Sequence, residues 1–201
     1  KEAADNENKY IFSCKNTGKI CLFTNTGQLH TVKVMDIPFG KFRDKGVPID
    51  NISNFNGEKE IVIAAASQTS LNLYRLIFVT KQAMMKVVDG GEFDVAKRTV
   101  AATKLADDDE VVSVAVLNEQ KQIVLQSKDG YFLKFGVEEI PEKKKNAIGV
   151  RGMKLTGTDH IENVYYLCSG VENTVEYRDK SLELHKLKAA KRDGKGTKIR
   201  V

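Results

Sequence analysis

The feature that most restricts this chain is an internal repeat of about fifty residues, visible in three segments that agree in order and spacing. The first runs from Cys21-Leu22-Phe23-Thr24-Asn25-Thr26-Gly27 through Lys33–Pro38 to Arg43-Asp44-Lys45-Gly46-Val47-Pro48-Ile49-Asp50-Asn51-Ile52. The second runs from Ile77-Phe78-Val79-Thr80-Lys81-Gln82-Ala83 to Lys97-Arg98-Thr99-Val100-Ala101-Ala102-Thr103-Lys104-Leu105. The third runs from Val124-Leu125-Gln126-Ser127-Lys128-Asp129-Gly130 through Ile140-Pro141 to Gly149-Val150-Arg151-Gly152-Met153-Lys154-Leu155. Hydroxyl positions 24, 80 and 127 lie 56 and 47 residues apart, and the Gly/Thr positions 46, 99 and 149 lie 53 and 50 apart. An Ile or Leu follows six residues after each of the latter.

Each unit reads as an apolar strand, a turn, a second strand, a basic loop and a Gly/Thr-Val that opens another strand. The strands are short, rich in Ile, Val, Phe and Tyr, and bounded by turns such as Asn25-Thr26-Gly27 and Lys128-Asp129-Gly130. Ile61–Ala66 and Val111–Val116 are nearly continuous apolar runs, which predicts strands covered on both faces. Short helices around 92–97 and 182–192 are conceivable, but segments of that length are marginal alone and the repeat register favours strand or loop. A degenerate fourth copy places strand, turn and strand at Val175–Leu182, then a basic loop and a returning strand at Lys191–Ile199. The units therefore span approximately 20–70, 71–119, 120–170 and 171–201. Tyr10–Lys19 resembles an extra hairpin that pairs with the last unit and closes the array, since repeat arrays otherwise leave exposed edges. Residues 1–9 read as a polar linker or a cut end. The periodicity predicts an all-β, closed or curved array of about four small sheets, each burying its apolar face against its neighbours.

Charge is unevenly placed. Of the formal net +5, the stretch Lys186–Val201 carries seven basic residues and one acid, so the rest of the chain sums to about −1. A basic end on a balanced domain suits a polyanion, although a solvated tail would look the same. More telling is that basic residues recur at one place in the repeat. They are Lys41, Arg43 and Lys45; Lys97 and Arg98; Lys143, Lys144, Lys145 and Arg151; Lys191, Arg192, Lys195 and Lys198. Rotational stacking puts equivalent loops on one rim, as a cationic stripe suited to a phosphate backbone. Gly46, Gly149, Gly194 and Gly196 would let the backbone approach that ligand closely. Such contacts position a nucleic acid without reading bases, and neither a recognition helix nor a set of stacking aromatics is visible.

The same residues carry a family resemblance. Leu22–Gly27, Asp36-Ile37-Pro38, Lys45–Ile49 and Asn51-Ile52 resemble one blade of the C-terminal domain of bacterial type IIA topoisomerase A subunits, those of gyrase and topoisomerase IV. Phe135–Pro141 with Gly149–Leu155 is a second strong match, and the second blade departs from the pattern with Ala83 and Thr99 where glycine is usual. The resemblance covers roughly residues 10–201. It implies a β-pinwheel, a propeller-like fold of about four blades that exchange strands. It also implies binding and bending of duplex DNA around a basic perimeter, in a parent enzyme that joins an A-subunit core to an ATP-hydrolysing B subunit. Gyrases carry a Gln-Arg-Arg-Gly-Gly-Lys-Gly box for chiral wrapping. Ala190-Lys191-Arg192-Asp193-Gly194-Lys195-Gly196 is similar to it but lacks the leading Gln and one Gly, and lies in the last blade rather than near the start. Those departures lean towards topoisomerase IV.

Other chemistries find little support. Cys14, Cys21, His30, His160, Cys168 and His185 never reach a zinc-ligand spacing, and the odd cysteine count suits a reduced, cytoplasmic protein, which the family resemblance would associate with the nucleoid. Asp107–Glu110 lacks the alternation of a calcium loop and predicts a hairpin tip. With no nucleophile–base pairing and no P-loop, the expectation for this chain alone is no metal, no cofactor and no catalytic centre. It is also expected to be monomeric and to need no membrane, with no apolar run near the roughly 20 residues of a span. The competing expectation is a propeller-like protein–protein interaction module, which would present an exposed apolar or mixed face instead of a charged rim.

Overall fold

A computed structural model describes residues 8–200 of the protein. Fourteen strands follow one another along the described chain: β1 Lys19–Thr24, β2 Gln28–Lys33, β3 Val62–Ser67, β4 Arg75–Thr80, β5 Met84–Asp89, β6 Thr99–Ala101, β7 Val111–Leu117, β8 Gln120–Ser127, β9 Tyr131–Gly136, β10 Val150–Arg151, β11 Ile161–Cys168, β12 Thr174–Tyr177, β13 Lys180–Glu183 and β14 Thr197–Lys198. They form three four-stranded antiparallel sheets, ordered β3-β1-β2-β6, β10-β5-β4-β7 and β11-β8-β9-β14, and a two-stranded hairpin β12-β13.

Each four-stranded sheet is built by two repeats. A hairpin and the strand after it come from one unit, and the outer strand is handed back by the next. Thus β6 pairs with β2, β10 with β5 and β14 with β9, all antiparallel. The fold is an all-β pinwheel with exchanged strands. On the opposite edge β3, β7 and β11 come together, and the Ser113 and Tyr166 hydroxyls meet at 2.7 Å there. That edge is the hub, and it takes the small side chains of Ala64, Ala65, Ala66 and Ser67 in β3 and Ser113 and Ala115 in β7. The handed-back strands consequently lie at the periphery.

Hydrophobic alternation of period two explains the packing. On β4, Leu76 and Phe78 join Cys21, Phe23 and Leu29 of the first sheet, whereas Ile77 and Val79 join Ile123 and Leu125 of the third. Phe23, Phe78 and Phe93 lock the first interface, with ring centroids 5.1–5.8 Å apart. Full burial of each ring is worth about 1.5–3 kcal/mol. Val124 and Phe132 of the third sheet pack in turn on Tyr177 and Leu184 of the last unit. Two-sided burial therefore belongs to the hairpin strands. The runs at 61–66 and 111–116, expected to be covered on both faces, are mostly half-buried at the crowded hub, and they are apolar because they touch one another there.

Other expectations are refined. The helical turns that touch residues 92–97 and 182–192 are the single 3-10 turns Gly90–Phe93 and Leu184–Lys186, and two short helical turns, α1 Ile49–Ile52 and α2 Gln68–Leu71, lie elsewhere. Asp107–Glu110 is a turn between β6 and β7, which lie in different sheets, so it is no hairpin tip; Asp109 there accepts hydrogen bonds from the Gln82 and Glu110 N–H groups at 3.0 and 2.8 Å. Residues 10–18 form no strand, and the Tyr10 hydroxyl donates to the Val62 and Ile63 carbonyls, at 3.4 and 3.0 Å. Ala83 adopts the left-handed turn conformation (φ 65°) that Gly27 and Gly130 occupy in the other units (φ 78° and 90°), so the missing glycine is accommodated with local strain.

Candidate nucleic-acid interface

Every basic residue singled out from the sequence falls on a crossover, the segment that leaves the second strand of a hairpin and runs to the periphery; in the second, third and last repeats it supplies the outer strand of the preceding sheet. The crossovers meet successive sheets at equivalent edges: Thr31 N–H donates to the Arg98 carbonyl, Lys143 N–H to Val87, and Ala190 N–H to Lys134, each at 2.7–2.8 Å. Lys97, Lys143, Lys144, Lys191, Lys195 and Lys198 are exposed there, with no ion pair among the described residues. Lys195 and Lys198 lie 5.3 and 5.5 Å from the Tyr131 ring.

The remaining predicted cations divide by structural duty. Arg151 chelates Asp193 through Nε and Nη2, and that guanidinium holds the Asp193 carboxyl below the usual carboxylate range. Half-buried Arg192 donates through Nη1 to the Arg151 carbonyl (2.7 Å) and through Nε to the Glu139 carbonyl (2.9 Å), so it joins two repeats rather than facing outwards. Arg98 donates to the Ile52 carbonyl at 3.2 Å, and Lys145 reaches the Glu92 carbonyl at 3.4 Å. Lys41, Arg43 and Lys45 are exposed, but their crossover has no acceptor sheet among the described residues, and Phe39 and Phe42 beside them are 98% and 74% exposed.

Two of the glycines named above are needed by strand exchange itself. A Cβ on Gly149 would lie 2.4 Å from the Met85 carbonyl oxygen, and one on Gly196 2.7 Å from that of Phe132. Their close approach is to the acceptor strand of the preceding sheet. At Gly46, which shares the positive φ (+74°), a Cβ would meet nothing within 4 Å.

Two cations escaped the sequence reading. Lys86 is fully buried, and its ammonium donates to the carbonyls of Lys144, Lys145 and Ala147 at 3.0, 3.0 and 2.7 Å. Lys134, also buried, donates to the carbonyls of Leu184 and His185 at 3.3 and 2.9 Å. Burial lowers both ammonium groups, Lys86 to about 8. The available signal was a lysine inside an apolar strand, as in Met84-Met85-Lys86-Val87-Val88 and Phe132-Leu133-Lys134-Phe135. No helix among the described residues is long and apolar enough to cross a membrane.

The fold and its periphery define a class: a strand-exchanged, propeller-like repeat domain with cationic crossovers. The family model described as the DNA gyrase C-terminal domain, beta-propeller, matches residues 74–118 and 121–167. The chain is 30% identical over 144 residues to the A subunit of DNA gyrase from Lawsonia intracellularis, covering 71% of this chain and 17% of that protein. It is 28% identical over 152 residues to the A subunit of DNA topoisomerase 4 from Bacillus subtilis, covering 75% and 19%. Among solved structures, the C-terminal domain of DNA topoisomerase IV superposes with a TM-score of 0.84 at 24% identity over 98% of this chain and 66% of that one. The E. coli ParC C-terminal domain superposes with 0.78 at 16% identity over 96% and 80%, and at these identities the likeness speaks to the fold. The chain belongs to the family of C-terminal domains of gyrase and topoisomerase IV A subunits. It spans less than a fifth of the length of the A subunits it matches.

Proposed function

We propose that the crossovers bind the backbone of duplex DNA and bend it, presenting the duplex to the strand-passage core of a type IIA topoisomerase whose B subunit hydrolyses ATP. In this reading the chain contributes no cleavage or ATP hydrolysis of its own. The observation that carries the proposal is the recurrence of exposed lysines at equivalent edges of successive sheets, on the second, third and last crossovers. A curved row of point charges follows phosphates and reads no bases, so binding is independent of sequence. Smoothly bending 20–30 base pairs by 40–90° costs about 1–6 kcal/mol, which one loop does not offset and several do.

The finer reading is of topoisomerase IV type. In Ala190–Gly196 the carboxylate of Asp193 neutralises Arg151, and Arg192 is committed to carbonyls, so the segment that resembles the gyrase box offers little free charge beyond Lys191 and Lys195. The exposed Phe39 and Phe42 favour a second role for the first crossover alone: a mixed, strand-donating surface for a further unit, where Lys41, Arg43 and Lys45 contribute least to DNA binding.

Energy transfer between the labelled ends of a duplex of about 40 base pairs tests the proposal. Shortening of the end-to-end distance that needs both the Lys143–Lys144 and the Lys191–Lys195 loops supports it. An unbent duplex at saturation refutes it. When joined to an A-subunit core and its ATP-hydrolysing partner, a topoisomerase IV-type domain relaxes supercoiled circles without introducing negative supercoils.

A further inference from the structure

We propose that Lys86 is a positioning residue for the lysine loop of the third repeat: its ammonium gathers three carbonyls of the loop and so turns the side chains of Lys143 and Lys144 outwards in a fixed arc. The proposal rests on the DNA-binding reading above, and it adds a residue that never reaches the ligand.

The loop is anchored at both ends on β5. At its start Val87 N–H donates to the Pro141 carbonyl and Lys143 N–H to the Val87 carbonyl, at 3.0 and 2.8 Å. At its end β10 pairs through Val150 with Met85 and Arg151 with Met84. Between these anchors residues 144–147 arch away from the strand, closed by a turn in which Ala147 N–H donates to the Lys144 carbonyl at 3.0 Å. Three carbonyls there point inwards, and unsatisfied buried carbonyls are costly. Lys86 rises from the middle of β5 into the arch and supplies all three ammonium hydrogens to them.

The neighbours leave the ammonium this role alone. The Phe78 ring lies 5.6 Å away, and among the described residues no carboxylate pairs with Lys86; Glu92, which acts on it only at longer range, accepts instead from Lys145 N–H at 3.2 Å. The Thr103 hydroxyl adds a weak 3.4 Å bond to the Ala147 carbonyl. An aliphatic side chain would fill the position without the cost of desolvating a charge. What only an ammonium provides is convergence of the three carbonyls, and with it a loop whose exposed lysines are ordered before DNA arrives. Pre-ordering spares the binding step the entropy of immobilising rotamer-rich side chains. The same device recurs where Lys19 donates to the Val95 carbonyl of the second crossover at 3.0 Å, and where Lys134 holds Leu184 and His185 at the root of the last.

The experiment is a double-mutant cycle on the chain, with Lys86→Met crossed against a Lys143→Gln/Lys144→Gln pair, and Lys59→Met as an exposed charge control. Duplex affinity is read over a salt series. The glutamine pair is expected to lower the slope of log K against log salt by about 1.8, at about 0.9 per phosphate contact. Lys86→Met is expected to lower it by about 1 although it touches no phosphate, and the combined variant to fall little below the glutamine pair. Additive losses, or an unchanged slope in Lys86→Met, overturn the proposal. Tryptic cleavage after Lys143–Lys145 gives a readout that does not depend on DNA. It should quicken in Lys86→Met while cleavage after Lys41 and Lys191 holds its rate, and unchanged cleavage within the loop overturns the proposal even if the wild-type chain binds no duplex, a result that would refute the DNA reading separately. Should Lys86→Met fail to fold, Lys86→Gln, which keeps two N–H donors, takes its place, with slope and cleavage expected between wild type and a loosened loop.

Discussion

Gly149 and Gly46 occupy the same place in their repeats and both have positive φ, +101° and +74°, yet only Gly149 meets a neighbouring strand. Alanine at each position therefore separates the cost of backbone conformation from the cost of strand exchange. At Gly46 a Cβ meets nothing within 4 Å, so Gly46→Ala should cost only the left-handed conformation of an L-residue, about 1 kcal/mol. At Gly149 the added Cβ would sit 2.4 Å from the Met85 carbonyl oxygen, where ordinary contact begins near 3.4 Å. The strand must retreat by roughly 1 Å, which weakens the two-residue β10 pairing and the Gly152 N–H bond to the Ala83 carbonyl. With each hydrogen bond worth roughly 1 kcal/mol, the total becomes about 3 kcal/mol. For a chain of this size 1 kcal/mol moves Tm by about 2–4 °C, so thermal unfolding followed by circular dichroism should fall by roughly 2–4 °C for Gly46→Ala and 6–12 °C for Gly149→Ala. Equal shifts would refute the argument that β10 is held against β5 by a glycine-dependent backbone approach.

Asp193→Asn releases Arg151 from its exposed ion pair; stability should change by less than about 1 kcal/mol, whereas the salt slope of duplex binding should steepen by about 0.9, and an unchanged slope in a filter-binding series would count against a DNA-facing Arg151. Burial raises the Glu60 carboxyl, but the Asn56 N–H, the Thr26 hydroxyl and His30 outweigh it and hold it below its usual 4.5. Its stabilising contribution is therefore complete above pH 4.5 and lost as the pH falls through the lower folded value, so Tm should drop less on acidification in Glu60→Gln than in wild type, and parallel Tm–pH curves would contradict this. Phe78→Ala empties the ring cluster between the first two sheets and should cost about 3–5 kcal/mol by calorimetry, with loss of cooperativity between blades; a cost below about 1 kcal/mol would show that the sheets do not depend on this contact.

The strand–turn–strand–loop order was legible because it follows from local alternation and turn chemistry, as at Thr24–Gly27 and Ser127–Gly130. Strand exchange followed from the family resemblance and not from these local signals: β10 is two residues long, and its pairing with β5 brings the bare backbone of Gly149 against Met85. Nor did sequence distinguish Lys143, which faces solvent, from Lys86, which does not, because both are lysines and only the three-dimensional placement of three carbonyls separates their duties. Arg151, Arg192 and Arg98 fall on the crossovers, but their partners all lie more than forty residues away along the chain, beyond the reach of local pattern. The hub strands looked doubly buried because hydropathy records apolar surroundings without saying whether a neighbouring sheet or an adjoining strand edge supplies them.

The central claim is that the lysines of successive crossovers form one phosphate track, and titration of a labelled duplex across a salt series tests it most directly. Six exposed lysines without ion pairs among the described residues, Lys97, Lys143, Lys144, Lys191, Lys195 and Lys198, predict a log–log slope of about −5. Charge reversal at Lys143–Lys144 or at Lys191–Lys195 should each flatten that slope by about 2, whatever the duplex sequence. A slope near zero, an affinity set by sequence, or no binding at low salt would contradict the account.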